Sequence, residues 1–351
     1  MTIKKQSSGL EMVIQNKIRN ERIDFLRFIG AFLVLTIHSP FSGIIGLYIE
    51  ALSRIAVPIY ILITAYYYWN IDVKDKKKWV IKQSRSLFFI LFWGSCYYFI
   101  FNGIIAFEKG MTMQEYLRQF YNIHKWVIFI IFNNNPFSGH LWYLSSIIYA
   151  IIIVYIIEKI EGGGILTFVT PLLFTLFLFI PSNLCVYILG YQFSRYTIRN
   201  FLFIGIPYFM LGKYAYKWKN KKIQFFIITS IILSIIEFYI HYKINIYRRL
   251  DDYYITTIIL AFFILVWAIK ETPIAENTLI STLATFGKKY SAFIYIIHPS
   301  ILTIINLAVK SEMIIWKNCI PIITFAISLV IAILFNSLLN CMQCKQKRGL
   351  N

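Results

Sequence analysis

Asp24-Phe25-Leu26-Arg27-Phe28-Ile29-Gly30-Ala31-Phe32-Leu33-Val34-Leu35-Thr36-Ile37-His38-Ser39-Pro40 places a cation and a titratable imidazole at the two ends of a mostly hydrocarbon run. Over the step from Arg27 to His38 an α-helix makes about three turns plus roughly 20° and rises about 16 Å. Both side chains therefore fall on one stripe of a first helix, at different depths. That separation excludes a direct hydrogen bond, so any joint role runs through a ligand that spans the distance. The plainer reading is that Arg27 snorkels to the headgroups on one side and His38 sits at the interface on the other.

The rest of the chain puts this helix in a lipid setting. Of 351 residues, 58% are apolar and 15% charged, and the mean hydropathy is +0.65, which is the signature of a polytopic membrane protein. Positive-inside topology accounts for most of the net charge of +19. No basic surface or reading module is left over for nucleic acid. Cys96, Cys185, Cys319, Cys341 and Cys344 form no disulfide framework, and Cys341-x-x-Cys344 is half of a zinc site at best, so no metal is expected.

Apolar runs at 24–45, 54–70, 84–107, 140–158, 163–181, 199–217, 222–242, 253–270, 287–309 and 314–339 predict an all-α integral membrane bundle of about ten transmembrane helices. Residues 1–22 read as a cytoplasmic N-terminal tail, 23–340 as the transmembrane domain and 341–351 as a cytoplasmic C-terminal tail. Of the 35 Lys and Arg, 23 fall on the side shared by the two termini and 11 on the other, with Arg27 inside a span; both termini are therefore expected inside. The outer loop 108–139 carries an amphipathic piece, Met113 to Phe132, suited either to the interface or to packing on the bundle. Glu161-Gly162-Gly163-Gly164 lacks the Lys and Ser/Thr of a phosphate loop and reads as a tight turn.

Chemistry is sought among polar residues inside the spans, because such groups are costly there and face the bundle interior or a wet cavity. Arg27 and His38 come first, with Asp24 placed to pair with Arg27. Lys74, Lys76, Lys77, Lys78, Lys82 and Arg85 lead into the third span, where Lys82 and Arg85, one turn apart, can face one anionic group; anionic lipid explains the same cluster. His140-Leu141-Trp142-Tyr143 opens the fourth span, where Trp142 and Tyr143 also suit an interfacial belt. His298 stands before Pro299, which is expected to break its helix and free carbonyls beside the imidazole. Glu237 and His241 form an acid and imidazole pair one turn apart.

Taken together, Arg27-x10-His38, Lys82-x-x-Arg85, His140-Leu141-Trp142-Tyr143 and Tyr295-Ile296-Ile297-His298-Pro299 resemble the acyltransferase-3 family of ten-span membrane proteins. The resemblance implies a bacterial plasma-membrane protein that takes an acetyl group from acetyl-CoA on the cytoplasmic side. The acceptor would be a hydroxyl on an extracytoplasmic or lipid-linked molecule. It implies His38 as general base, with Arg27 beside it in the catalytic set, and Arg27, Lys82 and Arg85 holding the CoA phosphates. Two departures stand out: Thr64-Ala65 replaces the family's Ser-Gly, and Lys82 stands where Arg is commoner. More narrowly, Arg54-Ile55-Ala56-Val57-Pro58 and the histidine motifs are similar to the membrane half of VanT-type serine racemases of vancomycin resistance. That likeness implies L-serine as ligand, with Arg27 or Arg54 on its carboxylate and Glu237 on its ammonium. The racemase is then a separate polypeptide or absent. Under either likeness Arg54, His140, Trp142, Tyr143, Glu237 and His298 are the candidate substrate contacts.

Overall fold

The computed structural model describes residues 20–161, 164–180, 188–191, 193–219, 221–243, 254–270, 278–309 and 313–348. The readings of the first nineteen residues, Gly162-Gly163, Cys185, and the side chains of His241 and Cys344 lie outside the described parts. In chain order the helices are α1 (Glu21–His38), α2 (Gly43–Ser53), α3 (Ala56–Trp69), α4 (Val73–Glu108), α5 (Met113–Arg118), α6 (Ile123–Phe132), α7 (Trp142–Glu161), α8 (Gly164–Phe179), α9 (Arg195–Ile198), α10 (Ile206–Trp218), α11 (Gln224–Lys243), α12 (Ile255–Ala268), α13 (Thr278–Ala308) and α14 (Ile314–Arg348). A 3-10 turn, Gly139–Leu141, leads into α7, and a π-helical turn, Phe201–Gly205, leads into α10. No strand occurs among the described residues.

Among the described residues, five segments are long and apolar enough to cross a membrane: Gly43–Trp69, Val73–Glu108, Gly139–Ile160, Leu279–Ala308 and Ile315–Met342. Ile123–Phe132, Gly164–Leu176, Gln224–Ile240 and Ile255–Ala268 are apolar but shorter. α1 falls outside both groups because Glu21, Arg22, Asp24 and Arg27 crowd its first two turns. Wide apolar faces stay uncovered, among them Phe88, Phe92, Trp93 and Ile100 on α4 and Leu334 and Leu338 on α14. Faces of that size call for lipid or another apolar partner.

Local chemistry sets where α1 begins and ends. The Asn20 side chain accepts from the amides of Arg22 and Ile23, the usual N-cap arrangement. Pro40 disfavours helical backbone at Ser39, which adopts φ −134° and ψ 80°. The first helix thus stops at His38 instead of running to residue 45, and residues 43–53 join α3 to make the next long segment. The piece expected from Met113 to Phe132 is likewise two helices. Thr112 and Glu115 close a capping box on α5, Asn122 caps α6, and both pack on the bundle through Tyr116 and Trp126. Pro299 does not break its helix: α13 continues through it to Ala308. The hydroxyls of Tyr98 and Ser300 donate to the Ile296 and Ile297 carbonyls in that turn, both at 2.7 Å, as packed membrane helices allow.

Helix α13 crosses α1 in close backbone contact. A Cβ added at Gly287 would lie 2.0 Å from the Asp24 carbonyl oxygen and 2.7 Å from the Phe28 nitrogen, so the two backbones touch where only glycine fits. The main core lies beside this pair. Ile61, Leu62 and Ala65 of α3 meet Ile147, Ala150 and Ile151 of α7, Phe209 of α10 and Leu265 of α12, all fully buried. At one end of that core Lys76 pairs with Glu158 at 2.6 Å. Tyr68 donates to the same carboxylate, and the Lys76 ammonium lies 4.6 Å from the Tyr68 ring centroid and 5.1 Å from that of Trp69. This network ties the start of α4 to α3 and α7, which turns the next exposed turns of α4 outward.

Candidate functional site

Three histidines from three distant parts of the chain meet where α1 ends. His38, the last residue of α1, is exposed. His140 comes from the 3-10 turn and His298 from the middle of α13. The ring centroids are 5.2 Å apart for His38 and His298, 5.7 Å for His140 and His298, and 6.5 Å for His38 and His140. His140 Nδ1 is 2.7 Å from Ser138 Oγ, and its backbone carbonyl accepts from the Tyr295 hydroxyl. His298 Nδ1 lies 3.1 Å from the Ile294 carbonyl oxygen. The Nε2 atoms of His140 and His298 are buried without a hydrogen-bond partner. Orphaned buried nitrogens of this kind mark a place where a ligand or another side chain completes the set.

A file of phenol rings leads from this cluster back toward Arg27. Tyr295 stacks edge-on against His140 at 5.4 Å and against Tyr143 at 5.7 Å, and Tyr143 lies 6.1 Å from Tyr60. The Tyr60 hydroxyl donates to the Arg27 carbonyl oxygen at 2.7 Å. The Arg27 guanidinium pairs with Asp24 at 2.7 Å and lies 6.0 Å from the Tyr67 ring centroid. Arg27 and His38 thus stand at the two ends of one seam formed by α1, α3, α7 and α13.

Lys82 and Arg85 lie elsewhere, on the exposed face of α4. With Lys74, Lys77, Lys78, Ile81, Ser86 and Phe89 they line an open groove of about 660 Å³. Those positions recur every three or four residues, which is one face of a helix. Five cations with two apolar side chains between them suit a polyphosphate carrying an organic ring. Among the described residues, no group of three or more His, Cys, Asp or Glu is arranged to hold a metal ion.

Comparison with known proteins places the chain. A family model described as an acyltransferase domain, Acyl_transf_3, matches residues 20–341. The chain belongs to the acyltransferase-3 family. No curated protein and no solved structure matches it, so no relative supports the narrower VanT likeness. The family, together with the long apolar helices, makes the chain a membrane protein.

Within this acyltransferase-3 chain the other candidate residues have different surroundings. Trp142 is buried in the main core, and Tyr143 stands in the ring file, so neither is an interfacial belt residue. Arg54 pairs with Glu50 at 2.7 Å where α2 turns into α3, both nearly fully buried. Glu237 caps α12: its oxygens accept from the Ile255 and Thr256 amides at 2.9 Å and from the Thr256 hydroxyl at 2.5 Å. Replacing Glu237 with Ala should therefore lower stability by about 1–2 kcal/mol, with Gln retaining part of it. Thermal midpoints of the detergent-solubilised variants measure this. Tyr60 and Tyr98 were not singled out from sequence, since nothing sets them apart from the other tyrosines among 25 in the chain; Tyr295 entered only as the first residue of the Tyr295-Ile296-Ile297-His298-Pro299 motif.

Proposed function

We propose that this protein transfers an acyl group, acetyl in the simplest case, from acyl-CoA to a hydroxyl of an extracytoplasmic or lipid-linked acceptor. The observation that carries the proposal is the convergence of His38, His140 and His298 at one end of the seam that begins at Arg27. We read the bundle as ten spans in a bacterial plasma membrane with both termini inside. The basic face of α4 then lies on the cytoplasmic side, where the donor is found.

In this reading Lys82 and Arg85 hold donor phosphates at the cytoplasmic face, with Arg27 at that mouth of the seam. His38 receives the acceptor hydroxyl's proton as that oxygen bonds to the thioester carbon. The carbon–sulfur bond breaks and a proton returns to the sulfur, so CoA leaves as the thiol. An imidazole suits this proton transfer because its ordinary titration lies near neutral pH. The about 16 Å between Arg27 and His38 is bridged by the long arm of the donor.

The test is thiol release from acetyl-CoA by the purified protein in lipid vesicles. Replacing Lys82 and Arg85 together by Ala should raise the KM for acetyl-CoA at least about tenfold with little change in kcat, because lost charge-assisted contacts weaken ground state and transition state alike. An unchanged KM would move the donor site off α4.

A further inference from the structure

The transfer proposed above creates an anion that none of the residues assigned so far receives. When the acceptor oxygen bonds to the thioester carbon, the carbonyl oxygen takes up the charge, and a preformed hydrogen-bond donor at that point supplies a large part of the acceleration. The three imidazoles at the end of the seam differ in what they can offer it. His298 Nδ1 faces the Ile294 carbonyl oxygen at 3.1 Å, and a carbonyl only accepts, so Nδ1 carries the hydrogen and Nε2 is a bare lone pair. That nitrogen cannot hold an anion. His38 takes the acceptor's proton in this reading, which leaves His140.

His140 has one nitrogen engaged and one open. Its Nδ1 is 2.7 Å from Ser138 Oγ, and its Nε2 is buried without a hydrogen-bond partner. Donation from the Ser138 hydroxyl to Nδ1 puts the ring hydrogen on Nε2. The opposite tautomer would deprive that hydroxyl of this acceptor. It would also bring a second lone pair into a cluster that already holds the one on His298, whose ring centroid is 5.7 Å away.

The surroundings of His140 fix its ring in place. Its carbonyl accepts from the Tyr295 hydroxyl of α13. Ser138 is held in turn by the nearly fully buried Asn135, whose Oδ1 accepts from the Phe137 and Ser138 amides at 2.9 and 3.1 Å. The Asn135 Nδ2 donates to Ser95 Oγ of α4 at 2.8 Å. The His38 and His140 centroids are 6.5 Å apart. Two directly bonded imidazoles would stand at roughly 5 Å, so the observed gap leaves about the room of a tetrahedral carbon with its oxygens.

We infer that His140 is the oxyanion donor of the transfer, with Ser138 as the positioning residue that keeps the ring hydrogen on Nε2. The Nε2–H bonds to the former carbonyl oxygen as the tetrahedral carbon forms. As the carbon–sulfur bond breaks, the carbonyl re-forms and His140 keeps its hydrogen. A neutral imidazole held in one tautomer is an established kind of electrophile. The inference rests on the acyl-transfer reading with His38 as base, while the Ser138–His140 tautomer can be measured without turnover.

The experiment pairs kinetics with nitrogen-15 NMR of histidine-labelled full-length protein in lipid nanodiscs, the His140 signals being assigned by their loss in His140→Gln. The wild type should carry the His140 hydrogen on Nε2, and Ser138→Ala should show both tautomers in exchange. His140→Phe, which keeps a ring and removes the N–H, should lower kcat for thiol release from acetyl-CoA by about 100-fold or more. KM should stay within about twofold, and so should the affinity for S-ethyl-CoA, a thioether with no carbonyl to bind. His140→Gln, whose amide N–H can donate, should recover part of the loss, and Ser138→Ala should lose about tenfold in kcat. A wild type that turns over with the hydrogen on Nδ1, a single unaltered tautomer in Ser138→Ala, or an unaltered kcat in folded His140→Phe overturns the inference alone. A wild type that carries the hydrogen on Nε2 and releases no thiol overturns the acyl-transfer reading, and the oxyanion role falls with it.

Discussion

Replacing His38 with alanine is expected to lower thiol release from acetyl-CoA by about 100- to 10,000-fold, the usual worth of a positioned general base. The fall should lie in kcat, because His38 sits at the far end of the seam from Arg27, away from the cations proposed to hold the donor. KM for acetyl-CoA should stay within about twofold of the wild type. Folding should survive the change: His38 is exposed and is the last residue of α1, so little packing is lost. A variant that keeps its thermal midpoint and loses turnover would separate this role from a structural one. Equal losses at His38 and at a residue remote from the seam would point instead to general damage.

The second large effect is expected at a residue with no chemistry. Gly287→Ala would place a methyl group 2.0 Å from the Asp24 carbonyl oxygen and 2.7 Å from the Phe28 nitrogen. Both are helix backbone atoms and cannot rotate away, so α1 and α13 must move apart. Overpacking of this kind costs about 3 kcal/mol or more when no side chain can yield. The same two helices carry His38 and His298, so turnover should fall together with stability. Gly164→Ala is the control, because nothing lies within 4 Å of the added Cβ there; its stability should stay within about 0.5 kcal/mol of the wild type. Thermal midpoints of the solubilised variants, read beside thiol release, check both statements.

These expectations also mark how much could be read from sequence. Hydropathy alone reached a helical membrane protein, because lipid demands long apolar helices and the chain supplies them. Single-residue steps were harder. Ser39-Pro40 ends α1 at His38, yet apolar residues continue beyond Pro40, so hydropathy carried the first span to residue 45. Pro299 looked like a break, but neighbouring hydroxyls accommodate it within α13.

The site was partly legible. His38, His140 and His298 each stood out as titratable groups among apolar neighbours. Their convergence could not be seen, because it depends on how α1 and α13 cross and on where the 3-10 turn sets His140. Glu237 shows the opposite case. Its spacing to His241 suggested a local pair, while its carboxylate is engaged by the first turn of α12, a contact no periodicity announces. Glu158 drew no notice in the sequence, although it joins Lys76 and Tyr68 in the network that sets the course of α4.

The central claim is that His38 is the base of an acyl transfer from acyl-CoA. Its most direct measurement is thiol release from acetyl-CoA by the wild type and by His38→Ala, each purified and returned to lipid vesicles in the presence of cell-envelope extract as a source of acceptor. The account predicts acetyl-CoA-dependent release by the wild type and a loss of at least about 100-fold in the variant at equal folded protein. Equal release by both, or no release and no acetyl-CoA binding by the wild type alongside uptake of L-serine into the same vesicles, would contradict it.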